Sequence, residues 1–170
     1  MRFAVEHRFA TTLARFESLL DDPLLYDKLE RELPGIDKIE LLSSHETDGV
    51  VHRRVRYTPR ADGKIPAFGR GLVTPEMLAW VEDSTFRRSL HRIDYRVEPN
   101  LPERWRDQFQ SHGSFHLHEA AGEVIRRVEG EVIVRVALFG PIVERMLVNE
   151  LKKGFSSDAQ VLRGWLSAAC

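Results

Sequence analysis

The 170-residue sequence has one cysteine, Cys170, at its last position. An internal disulfide is therefore excluded, and with no residues after it the thiol lacks a prenylation signal. Nowhere do about 18 apolar residues run together, so no membrane-spanning helix is expected. Arg2, Glu6, His7 and Arg8 interrupt the N-terminal stretch before the apolar segment of a signal peptide can form, and a cytoplasmic location is expected. An excess of charge of one sign is also missing. Lys plus Arg number 25 and Asp plus Glu 26, a net charge of −1, which offers no general attraction for nucleic acid or anionic membranes. No Gly-x-Gly-x-x-Gly, phosphate-loop or Gly-x-Ser-x-Gly motif occurs, so nucleotide-dependent and serine-hydrolase chemistry have no foothold.

What is present reads as one globular domain over residues 1–170. Hydrophobic residues make up 42% and charged residues 30%, enough of each for a folded core with a solvated surface. Phe3, Val5, His7 and Phe9 alternate with Arg2, Ala4, Glu6 and Arg8, the period of two of a strand. Thr11 or Thr12 can cap a first short helix, and Asp22-Pro23 a second that carries Leu25, Leu29 and Leu33. Residues 36–44 and 50–58 then read as a hairpin, followed by a long irregular loop over 61–75 and strands at 77–86 and 89–98. A second hairpin is expected over 108–119 and 123–139, turning at Ala120-Ala121-Gly122. After Gly140-Pro141 the period changes to 3.6, with Val143, Leu147, Leu151, Phe155, Ala159, Leu162 and Leu166 along one face of a helix of about 25 residues.

The fold class expected is α+β: two short helices after strand one, and an antiparallel sheet of six to seven strands curved around one long C-terminal helix. Gly113 and Gly130 are places where strands can bend. One helix cannot fill a curled sheet, so the remaining space holds large side chains or a ligand.

The junction Val134-Arg135-Val136-Ala137-Leu138-Phe139-Gly140-Pro141-Ile142-Val143-Glu144, the following Asn149-Glu150-Leu151-Lys152-Lys153-Gly154-Phe155 and the order of elements resemble the START-like superfamily, also called SRPBCC or birch-allergen-like. More narrowly they resemble a bacterial group of unknown function within it. The resemblance implies a helix-grip fold and a lipid, sterol or metabolite as ligand. It also leaves open the cyclase and chaperone-regulator activities of other members, since fold does not fix function.

The inward candidates from the strands are Phe3, Val5, Tyr57, Tyr95, Phe115, Val132, Val134 and Val136, facing Leu147, Leu151 and Phe155 from the helix. Tyr57 and Tyr95 stand out because a buried phenol seeks a polar partner, which a ligand can supply. His7 points inward with its neighbours and is the one candidate for acid or base catalysis. Asp158 flanks the helical stripe beside Phe155 and Leu162 and reads either as a carboxylate at the pocket mouth or, the favoured reading, as solvated. Residues 65–73, with Phe68 beside Arg70, read either as a gate able to touch a membrane surface or as a loop covering one end of the core. His112, His116 and His118 face outward without further ligands, so no metal is expected. Arg53, Arg54, Arg56, Arg126 and Arg127, mixed with acids, read as solvated faces. The leading expectation is a cofactor-free carrier or sensor for a small apolar or lipid-like ligand. A cyclase- or hydratase-like enzyme using the same pocket is the alternative. A protein-interaction module using the outer sheet or the Trp105 region is the third reading.

Overall fold

The computed structural model describes residues 1–60, 74–136 and 140–168. In β1 (Arg2–Phe9), Phe3, His7 and Phe9 are buried while Arg2, Ala4, Glu6 and Arg8 are exposed, as the alternation requires. α1 (Leu13–Leu20) begins where Thr12 Oγ1 accepts the Arg15 N–H at 3.3 Å and the Glu119 carboxylate accepts the Leu13 N–H at 2.8 Å, which satisfies two otherwise free donors. α2 (Leu25–Glu32) starts a turn later than the sequence suggests. Leu24 rather than Asp22 is its N-cap; the Asp22 carboxylate accepts the Leu24 N–H at 2.8 Å, closing a turn just ahead of the helix, and is held by Lys28 Nζ at 2.6 Å.

β2 (Ile36–Thr47) and β3 (Val50–Pro59) are joined through Asp48-Gly49, both in the left-handed region that two-residue hairpin turns require. β4 (Trp80–Arg87) and β5 (Arg92–Pro99) follow, then a single helical turn, α3 (Glu103–Arg106). β6 (Phe109–Ala120) and β7 (Glu123–Val134) close a second hairpin at Ala121-Gly122, again with positive φ at both residues. The seven strands form one curved antiparallel sheet in the order β1-β7-β6-β5-β4-β3-β2.

Several strand boundaries differ from the sequence reading: β2 runs on to Thr47, paired with Val50, and others stop where a partner strand or a turn ends them. Residues 77–79 are not strand: β5 ends at Pro99 opposite Trp80, and Pro75–Leu78 make a 3-10 turn instead. A second such turn, Arg88–Leu90, delays the start of β5 to Arg92. β7 stops at Val134 because β6 begins at its partner Phe109. The Val134 N–H is taken by the Glu144 carboxylate at 2.9 Å. Val136 therefore lies beyond the sheet at 41% exposure, so its expected place on the inner wall is not realised.

α4 (Gly140–Ala168) has 29 residues, and at ~1.5 Å per residue it runs about 44 Å. Its closest backbone approaches are to β1, β7 and α2. The apolar interior falls into two clusters. One joins Phe9, Phe16, Leu25, Leu29, Ile39, Val55, Leu117, Val124, Ala159, Leu162 and Leu166, under α1 and α2. The other joins Phe3, Tyr95, Val128, Val132 and Val148, with Val97, Phe109, Phe115, Leu147, Leu151 and Phe155 packed around it.

Candidate functional site

Because the strands are in register, inward side chains line up in rows across the sheet. One row runs Phe3, Gly130, Gly113, Tyr95 and Ser84. The two glycines are required here: a Cβ at Gly113 would stand 2.6 Å from the Tyr95 hydroxyl, and one at Gly130 2.7 Å from the Phe3 ring. Phe3 and Tyr95 lie flat over this strip. Phe155 of α4 meets Phe3 at 6.1 Å, Tyr95 at 6.3 Å and Phe115 at 5.6 Å between ring centres, and Tyr95 meets Phe115 at 5.1 Å. These spacings are those of mutually stabilising aromatic contacts.

The next row toward α4's N-terminal end is Val132, Ser111, Val97, Glu82 and Val55. Glu82 is thus an acid between two valines on the inner face. Burial, followed by the nearby Asp158 charge, pushes its carboxyl up to about 7. Tyr57 stacks on Trp80 at 5.3 Å beside it, and burial, the largest cause, raises its phenol well above the ordinary range. Both side chains lie deep in the protein, yet each keeps some accessible surface. Tyr26 of α2 is pushed up to about 12, mainly by burial, with Glu82 contributing.

A polar group stands between Phe9 of one cluster and Phe115 of the other. Arg126 of β7 is 5% exposed and pairs with Asp158 of α4 at 2.5 Å. Its Nη2 donates to the Phe155 carbonyl at 3.2 Å and lies 3.4 Å from His7 Nδ1. The guanidinium sits 5.4 Å from the Phe9 ring and 5.8 Å from the Phe115 ring, so one cation touches both clusters. Burial first, then Arg126 and Arg163, lowers His7 to about 4, so it is neutral at physiological pH. Asp158 acts on His7, Glu82 and Tyr57 alike.

Of the residues expected to line the pocket, Phe3, Tyr95 and Val132 are buried, and Val5, Tyr57, Phe115, Val134, Leu147, Leu151 and Phe155 are inward and partly accessible. Phe68 and the gate segment 65–73 lie outside the described residues. Val136 is excluded by its position past the strand end. His7 is buried as expected but faces an arginine rather than a carboxylate. Asp158 is not the solvated residue favoured by the sequence: its half-buried carboxylate pairs with the buried Arg126. Arg126 does not belong with Arg127 on a solvated face; it is in phase with Val124 and Val128, a signal the sequence carries. Glu82 and Trp80 were missed because β4's inner face mixes Trp80, Glu82, Ser84 and Phe86. No group of three His, Cys, Asp or Glu placed to hold a metal occurs among the described residues.

The described helices include none long and apolar enough to cross a membrane. No curated protein matches the sequence. Among solved structures, norcoclaurine synthase of Thalictrum flavum superposes with a TM-score of 0.67 at 15% identity, covering 98% of this chain and 86% of that one. The Zhui aromatase/cyclase of a Streptomyces species gives 0.63 at 16% identity, covering 98% and 94%. A START superfamily protein of Mycobacterium smegmatis gives 0.59 at 15% identity, covering 99% of each chain. The architecture is the START-like helix-grip fold. Within it, residues 4–166 match the family described as Protein of unknown function (DUF2505), and the chain belongs to that family.

Proposed function

We propose that the protein binds a small hydrophobic or lipid-like molecule between the sheet and α4, as a carrier or sensor. One observation carries this reading. Val97, Phe109, Leu147, Leu151 and Phe155 face the interior yet keep accessible surface, while the closest backbone approaches of α4 are to β1 and β7. The fold shared with a START superfamily protein supports the same reading. At ~0.8 kcal/mol per buried CH2, a ten-carbon chain contributes about 8 kcal/mol before the entropic cost of association, so micromolar-to-millimolar affinity is expected. Titration with the neutral dye Nile red tests this. Leu151→Trp, which fills the cleft, is expected to weaken dye binding about tenfold with the fold retained by circular dichroism. Undiminished binding would sink the reading.

A cyclase- or hydratase-like activity in the same cleft is the second reading, favoured by Glu82. A carboxyl that titrates at about 7 can give or take a proton at neutral pH. His7, held neutral beside a guanidinium, is poorly placed for that work.

A further inference from the structure

Resting on the binding reading above, we propose that the cleft selects uncharged lipophiles carrying a hydroxyl or carbonyl group and rejects the corresponding carboxylates. The argument begins with cations. Two arginines are in phase with the inner face, and each is already committed: Arg126 to Asp158 at 2.5 Å and Arg53 to Asp21 at 2.8 Å. The lysines and arginines of α4 are all exposed. An entering carboxylate therefore finds no unpaired cation on the described inner face of the sheet.

It finds acids instead. Glu82 has no hydrogen-bond or ion-pair partner among the described residues. The titratable groups acting on it or sensing it are Asp158 from α4, Tyr57 from β3, Tyr26 from α2 and Tyr95 from β5, none of them cationic. A second buried anion here would be desolvated, unpaired and repelled.

A neutral polar group meets the opposite situation. The Tyr95 hydroxyl and Ser111 Oγ are buried with no hydrogen-bond partner, in residues 4% and 3% exposed. Buried polar atoms of this kind are rare without a partner, and a ligand oxygen would supply one. Ser111 shares its cross-strand row with Val97 and Glu82, so an orphan hydroxyl and a carboxyl able to donate or accept stand on one strip of wall.

The test is displacement of Nile red from the full chain by 1-decanol, decanoate and decylamine, matched in length, at about pH 8, where decanoate is ionised. 1-Decanol is expected to compete about tenfold more tightly than decanoate. Asp158→Asn frees the Arg126 guanidinium and should raise the decanoate-to-decanol affinity ratio about tenfold; Glu82→Gln, which leaves that pair intact and removes the unpaired acid, should raise it by a smaller factor. The second variant keeps the test decisive if the first does not fold. Equal affinities for decanol and decanoate, or decylamine binding tightest, would overturn the selectivity. Failure of Nile red and all three probes to bind would instead remove the binding reading, and this inference with it.

Discussion

The two halves of the interior are built from the same strands and the same helix, yet they are closed to different degrees. At the α1 and α2 end, Phe9, Phe16, Val124 and Leu162 are each at most 2% exposed. Across the polar group of His7, Arg126 and Asp158, the inward side chains Val97, Phe109, Leu147 and Leu151 keep accessible surface. The difference is the number of covering elements. Two short helices and the C-terminal half of α4 seal one end, whereas the described part of the other is covered by the N-terminal half of α4 alone. On this account, most of the stability lies in the first half and the proposed binding site in the second.

Substitutions should separate the halves, beginning with the sealed one. Leu162→Ala removes a packed side chain where nothing can collapse into the gap, and should cost about 3–4 kcal/mol in urea denaturation. Gly113→Ala is next: its Cβ would press on the Glu129 carbonyl as well as on Tyr95, so the backbone must shift, at about 2–3 kcal/mol. The smallest change belongs to the open half. Leu151→Ala should cost under ~1 kcal/mol, because the side chain is already partly accessible, while measurably changing Nile red affinity. Equal losses for Leu162→Ala and Leu151→Ala would erase the distinction.

Between the last two in size lies the effect of charge, and its sign depends on pH. Glu82 ionises near 4.5 in the unfolded chain but at about 7 when folded. Across that window the folded state holds a proton the unfolded state has lost, so stability falls as pH rises, by on the order of 2–3 kcal/mol, and stays lowered above it. His7 moves the other way. The unfolded chain protonates it below 6.5, the folded one only near 4, so its contribution falls as pH drops through that interval. The two slopes oppose one another where they overlap. Glu82→Gln should therefore stabilise the protein at about pH 8 by on the order of 2 kcal/mol, leave it unchanged near pH 4.5, and reveal the His7 slope between. A variant no more stable than the native protein at alkaline pH would place Glu82 in solvent.

Much of the architecture is legible in the sequence because it is set by local chemistry. The alternation of Phe3, Val5, His7 and Phe9 fixes β1, the pairs Asp48-Gly49 and Ala121-Gly122 fix two hairpins, and the 3.6-residue recurrence from Val143 to Leu166 fixes the helix. What is not legible depends on where a partner ends or lands. Val136 continues the alternation of β7 but leaves the sheet because β6 starts at Phe109. Whether Leu151 or Leu162 is sealed depends on where α1 and α2 dock, which periodicity along α4 does not encode. Arg126 is in phase with Val124 and Val128, whereas the mixed inner face of β4 gives Glu82 no clear phase; either charge gains meaning only once Asp158 is seen beside the first and no counter-ion among the described residues beside the second.

Methyl-resolved NMR during addition of 1-decanol tests the central claim most directly, because it reports both halves at once. The account expects the methyls of Val97, Leu147 and Leu151 to shift in a saturable way while those of Val124 and Leu162 stay in place. Absence of saturable shifts, or shifts centred on Val124 and Leu162, would contradict it.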